Sequence, residues 1–133
     1  LPTLKKEGVK ITIIGDKKNL DAEIKLLVAR AESETAKNTR FFLQIAFNYG
    51  GRDEIVRAAR KLAVEAAAGR LKPEAIDEQL FSNTLDTAEF PDPDFVIRTS
   101  GEKRISNFLL WQAAYSEYVF LDMHWPDFDA TRF

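Results

Sequence analysis

An α/β fold, a mostly parallel sheet flanked by helices, is predicted by three features of this 133-residue sequence. Short apolar or β-branched runs alternate with longer amphipathic ones, which is the pattern of βαβ units. Gly- and Pro-containing breaks separate the runs. Hydrophobic residues make up 45% of the chain and charged residues 30%, so it carries enough apolar surface to bury a core. The length fits a single domain over residues 1–133.

The first strand is expected in "VKITIIGD" (9–16), a β-branched run that turns at Gly15-Asp16. Leu20, Ile24, Leu27, Val28 and Ala31 then recur at helical spacing, so a helix is expected over 19–37. "RFFLQIAFN" (40–48) is apolar almost throughout and suits a strand covered on both faces. Gly50-Gly51 ends it. Residues 53–68 put Ile55, Ala59, Leu62, Ala63 and Ala66 on one face of a second helix that Gly69 closes. Pro73 suits the first turn of a short helix over 73–82. An irregular loop ends in "PDPD", and "DFVIRT" (94–99) is a third strand. Ser106 is a good N-cap for a helix over 107–115. "EYVFLD" (117–122) is a fourth strand.

Composition narrows the function. The net charge is −2, so no global basic field points to nucleic acid. The chain has no cysteine, which excludes disulfides and thiolate metal sites and agrees with a reducing, cytoplasmic setting. No apolar stretch approaches the roughly 20 residues of a membrane span. The chain opens "LPTLKKEGVK" without an initiator Met, which reads as the middle of a longer protein.

The chemistry concentrates in "RTSGEKRIS" (98–106), where a strand is expected to end. In open α/β sheets ligands bind beyond the carboxyl ends of the strands. Arg98 and Arg104 can make forked, charge-assisted hydrogen bonds to phosphate oxygens. Gly101 lets the loop turn closely. Ser106 adds a hydroxyl at the start of the expected helix, whose free N–H groups attract anions. The alternative is a solvated basic loop with an ordinary cap, and the residues alone do not separate the two. It is not a P-loop, because G-x-x-x-x-G-K-[ST] is absent. Glu117, expected at the same edge of the sheet, could hold a hard cation beside a diphosphate, pair with Arg98 or Arg104, or be exposed. Glu102 reads as a loop carboxylate countering Lys103. The lone His124 beside Trp125 reads as a packing residue.

"DFVIRTSGEKRISNFLLWQAAYSEYVFLDMHWPDF" resembles the C-terminal signature of the cis-prenyltransferases, the undecaprenyl diphosphate synthase family. "ITIIGD" and "FNYGGRDEI" resemble its upstream segments in order, so the likeness covers essentially the whole chain. It implies an enzyme that condenses isopentenyl diphosphate with an allylic diphosphate such as farnesyl diphosphate. The implied product is a long-chain polyprenyl diphosphate, undecaprenyl diphosphate for the cell-wall lipid carrier, made in the cytoplasm and delivered to the membrane. The likeness further implies Mg²⁺, a homodimer and no nucleic acid. Arg98, Arg104, Ile105 and Ser106 are implied to bind the isopentenyl diphosphate group, and Glu117 to serve Mg²⁺. The family's H-x-M-D-G-N-G-R-W motif is absent from the 133 residues. The chain therefore resembles the C-terminal half of such an enzyme, with no catalytic Asp of its own and no activity expected alone. A non-catalytic partner subunit is the alternative; such subunits tend to lose the R-T-x-G-E-x-R-I-S residues that this chain keeps.

Overall fold

A computed structural model of the chain describes residues 2–123. They fall into two compact units, residues 1–57 and 58–133. His124 and Trp125 lie outside the described residues.

The first unit contains α1 (Pro2–Lys6), β1 (Val9–Ile14), α2 (Ala22–Thr35) and β2 (Phe41–Ala46), and α3 (Gly51–Ala67) begins within it. The expected strands and helices are present: β1, α2 and β2 are each shorter than expected by a few residues, and α3 begins two residues earlier. The five-residue α1 was not foreseen, being too short to carry a periodic pattern, although Pro2 suits a first turn. β1 and β2 are parallel neighbours in the register Val9↔Phe41 to Ile14↔Ala46. Val9, Ile11 and Ile13 form the core of this unit, covered by Leu4, Val28 and Ala31.

Helix α2 does more than cover β1. Thr35, with no exposed surface, accepts the Ile11 N–H at 3.0 Å and donates its own O–H to the Ala31 carbonyl at 2.8 Å. Glu32 Oε2 accepts the Ile13 N–H at 3.1 Å. Asn38 donates to the Val9 carbonyl at 2.9 Å. A bare strand edge is an open template for pairing. Here three side chains occupy the edge groups that β2 does not.

The expectation for β2 is not met within the described residues. Its apolar run suited coverage on both faces, yet Phe41 and Phe42, which point to opposite faces, are 54% and 55% exposed.

In the second unit α3 ends at Gly69, whose φ of +77° and N–H to the Ala66 carbonyl make the expected left-handed stop. The helix expected over 73–82 is split into a 3₁₀ turn, Pro73–Ala75, and α4, Glu78–Ser82, which Asp77 caps by accepting the Leu80 N–H at 2.8 Å. β3 (Phe95–Arg98) and β4 (Glu117–Phe120) are parallel, with Phe95↔Glu117 and Arg98↔Phe120. The parallel pairing expected from the alternation of elements thus holds in both units. No helix among the described residues is long and apolar enough to cross a membrane.

The helix expected over 107–115 is absent. Ser106, Asn107 and Leu109 have φ of +52°, +60° and +47°, and left-handed residues cannot start a right-handed helix. The segment is instead held by its side chains. Trp111 Nε1 donates to Ser82 Oγ at 2.9 Å, and its ring lies 4.6 Å from that of Phe81. Gln112 Nε2 donates to Thr87 Oγ1 at 3.0 Å. Tertiary contact here overrides helical pattern.

Candidate anion site

Strand β3 ends at Arg98, and the chain then turns through Ser100 and Gly101, both at positive φ (+64° and +70°). Glycine tolerates this freely, whereas Ser100 adopts it at a steric cost. The turn is pinned just beyond the end of β4, with Gly101 N–H on the Leu121 carbonyl at 3.0 Å. It directs residues 102–106 back over the end of the strand pair.

The result is a cavity of about 560 Å³. Its polar lining includes Arg98, Thr99, Ser100, Glu102, Arg104 and Ser106; its apolar lining includes Ile105, Phe108, Tyr118 and Phe120. Four of the residues that the sequence singled out, Arg98, Arg104, Ile105 and Ser106, therefore meet in one place.

Arg98 organises the polar wall. Its Nη1 donates to Ser106 Oγ at 2.8 Å and to the Arg104 carbonyl at 3.0 Å. Its Nη2 donates to Glu102 Oε2 at 3.3 Å. The same oxygen accepts Arg104 Nε at 2.8 Å. Glu102 thus bridges both guanidinium groups rather than countering Lys103, as the sequence had suggested. The R-x-x-x-E-x-R spacing carried that signal: the carboxylate lies between the two arginines in sequence as it does in space. Without the helix at 107–115, the polarity of the wall comes from side chains and not from a helix N-terminus.

Glu117 is not brought to this site. It opens β4 opposite Phe95, while Arg98 faces Phe120. Three residues of strand separate the two positions, about 10 Å, and Glu117 does not line the cavity. The sequence had it at the same edge as the arginines; in a parallel pair the start of β4 lies beside the start of β3, not its end. Among the described residues no three of His, Cys, Asp and Glu converge on a point where a metal ion could sit.

Comparison with known proteins assigns the chain a family. A family model described as undecaprenyl diphosphate synthase matches residues 1–133. The isoprenyl transferase of Agrobacterium fabrum is 54% identical over 133 residues, which is 100% of this chain and 54% of that protein. The ditrans,polycis-undecaprenyl-diphosphate synthase ((2E,6E)-farnesyl-diphosphate specific) of Xanthomonas campestris is 53% identical over 127 residues, 96% of this chain and 49% of that protein. Among solved structures, lavandulyl diphosphate synthase from Lavandula x intermedia, in complex with dimethylallyl diphosphate, superposes with a TM-score of 0.86 at 39% identity, over 92% of this chain and 53% of that one. The chain spans about half the length of these proteins. The chain belongs to the undecaprenyl diphosphate synthase family of prenyltransferases.

Proposed function

We propose that the protein to which this chain belongs is a cis-prenyltransferase and that the cavity at the end of β3 receives isopentenyl diphosphate. The observation that carries this reading is the division of one cavity into a two-arginine polar wall and an aromatic-aliphatic wall. Such a site fits a small ligand with a multiply charged anionic end and an apolar body. Arg98, Arg104 and Ser106 hold the diphosphate; Ile105, Phe108 and Tyr118 face the five-carbon body.

The reaction follows from the two substrates. The C1–O bond of the allylic diphosphate breaks and inorganic diphosphate leaves. The double bond of isopentenyl diphosphate supplies the electron pair for the new carbon–carbon bond to C1, and a proton is lost from C2. The contribution of this chain is to fix one partner: orientation removes the entropy of encounter, and two guanidinium groups hold the diphosphate by charge-assisted hydrogen bonds. The allylic partner and the catalytic Asp belong to the half of the family's length that this chain does not span, so residues 1–133 act as the C-terminal half of a catalytic domain and are inactive alone.

Mg²⁺ enters this reading through the family, with Glu117 as the carboxylate proposed for it. Glu117 stands beside the start of β3 and Arg98 at its end, so a cation held there would not reach the diphosphate in this cavity, and no step is assigned to it. The product is a long-chain polyprenyl diphosphate, undecaprenyl diphosphate for the cell-wall lipid carrier, released from a cytoplasmic homodimer to the membrane surface.

The test is Arg104→Ala in the full-length enzyme. Losing the charge-assisted bonds of Arg104 corresponds to roughly 2 kcal/mol, or a thirtyfold rise in KM for isopentenyl diphosphate, with KM for the allylic substrate little changed. An unaltered KM for isopentenyl diphosphate would remove Arg104 from the site and the cavity from this role.

A further inference from the structure

Glu102 stands where the ligand's anion has to go. A single oxygen, Oε2, lies 2.8 Å from Arg104 Nε and 3.3 Å from Arg98 Nη2. No other carboxylate lines the cavity: its remaining polar residues are Arg98, Thr99, Ser100, Arg104, Ser106 and Tyr118. A phosphate oxygen that took the same two N–H groups would meet a carboxylate in the same space, and like charges a few ångströms apart repel strongly. The carboxylate has somewhere to go. Its side chain is 39% exposed, and it stands in a turn between two runs of left-handed residues, Ser100-Gly101 and Ser106-Asn107.

We propose that Glu102 is a resident anion of the site, which holds the Arg98 and Arg104 guanidinium groups together when the cavity is empty, yields them to an incoming diphosphate, and takes them back when that diphosphate leaves. The proposal rests on the reading of the cavity as the isopentenyl diphosphate site. It assigns Glu102 a positioning role rather than a catalytic one.

The chemistry of condensation gives this exchange a use. The allylic substrate loses its diphosphate, whereas isopentenyl diphosphate keeps its own. After each new carbon–carbon bond the lengthened chain therefore ends in a diphosphate sitting in this cavity. That group must vacate the arginines before the next isopentenyl diphosphate enters. A diphosphate held by two uncontested guanidinium groups leaves slowly. A carboxylate on a short tether, always present at high local concentration, competes for the same N–H groups and speeds departure. Glu102 weakens binding and in return shortens the cycle.

The experiment uses the full-length protein with Glu102→Gln, which keeps the shape and removes the charge, and Glu102→Ala, which removes both. Thermal unfolding checks that each variant folds. Binding of isopentenyl diphosphate is followed by calorimetry, and KM and kcat in steady-state chain elongation. The expected result is a fivefold to tenfold lower Kd and a lower KM in both variants, together with a lower kcat over repeated additions. A residue that only braced the arginines would move the other way: its loss would raise Kd and KM. Equal or weaker binding in the variants overturns the role of Glu102 and leaves the site assignment standing. A wild-type protein that binds no isopentenyl diphosphate overturns both.

Discussion

The two parallel strand pairs use their polar side chains to opposite ends. In β1–β2 they close backbone: Thr35, Glu32 and Asn38 satisfy edge groups of β1, and Asn48 Nδ2 donates to the Asp16 carbonyl where the two strands end. In β3–β4 they face one another across open space, with Arg98, Glu102, Arg104 and Ser106 linked around a cavity. The first arrangement spends its polar side chains on backbone; the second gathers charge around a cavity. Substitutions in the first pair should therefore register as stability, and substitutions in the second as binding. Each prediction below tests that division.

The largest effect is expected at Gly15, where β1 ends. Its φ is +131°, and a Cβ there would lie 1.9 Å from the Phe47 carbonyl oxygen. Backbone must move to admit it, because neither group is the tip of a flexible side chain. The adjoining bonds, Phe47 N–H to the Ile14 carbonyl at 2.9 Å and Asp16 N–H to the Asn48 carbonyl at 3.0 Å, would be lost with the shift. Gly15→Ala should cost roughly 3 kcal/mol or more, read as a lower urea midpoint of the full-length protein. A midpoint unchanged within error would mean that the two strands do not meet at this turn.

Arg98 comes next and tests the other side of the division. Arg98→Ala removes the donor that ties Ser106, the Arg104 carbonyl and Glu102 together. Binding of isopentenyl diphosphate should weaken by roughly 2–3 kcal/mol, about 30-fold to 150-fold. The unfolding midpoint should barely change, since the side chain is 31% exposed and closes no strand edge. Arg98→Lys should recover little of the loss, because an ammonium keeps the charge but not the fork. A large fall in stability with little loss of binding would reverse the roles assigned to the two pairs.

Much of this was legible in the sequence, and the failures have a common cause. β1 and β2 follow from short β-branched or apolar runs, and α2 and α3 from helical spacing over enough turns to repeat it. The four cavity residues sit within nine positions, so one loop brings them together whatever the rest of the chain does. What pattern could not show depends on contacts between distant segments. "NFLLWQAAY" has a helical look, yet Trp111 and Gln112 are held by Ser82 and Thr87, 29 and 25 residues earlier. The place of Glu117 depends on strand register, which no single strand encodes. β2 is instructive in another way. Its sequence asks for cover on both faces, and Phe41 and Phe42 are about half exposed here, in a chain that spans about half of its relatives' length.

The smallest effect, and the one most diagnostic of how β1 is closed, is expected at Thr35. Val has nearly the shape of Thr, so Thr35→Val leaves the packing on Val9 and Ile11 almost unchanged. It removes one hydroxyl that makes two bonds. The Ala31 carbonyl loses a donor it shares with the helix ladder, a minor loss. The Ile11 N–H loses its acceptor in a place no water reaches, since Thr35 is fully buried and Ile11 is 4% exposed. A buried N–H without a partner costs about 1–3 kcal/mol, and the added methyl group returns part of that through apolar burial. The net loss should be about 1 kcal/mol in the full-length protein, with KM for isopentenyl diphosphate untouched. Hydrogen exchange adds the readout that stability alone cannot supply. The Ile11 amide should exchange faster relative to its neighbours Thr12 and Ile14, whereas a uniform change along β1 would mean that Thr35 stabilises the unit as a whole and does not close that edge.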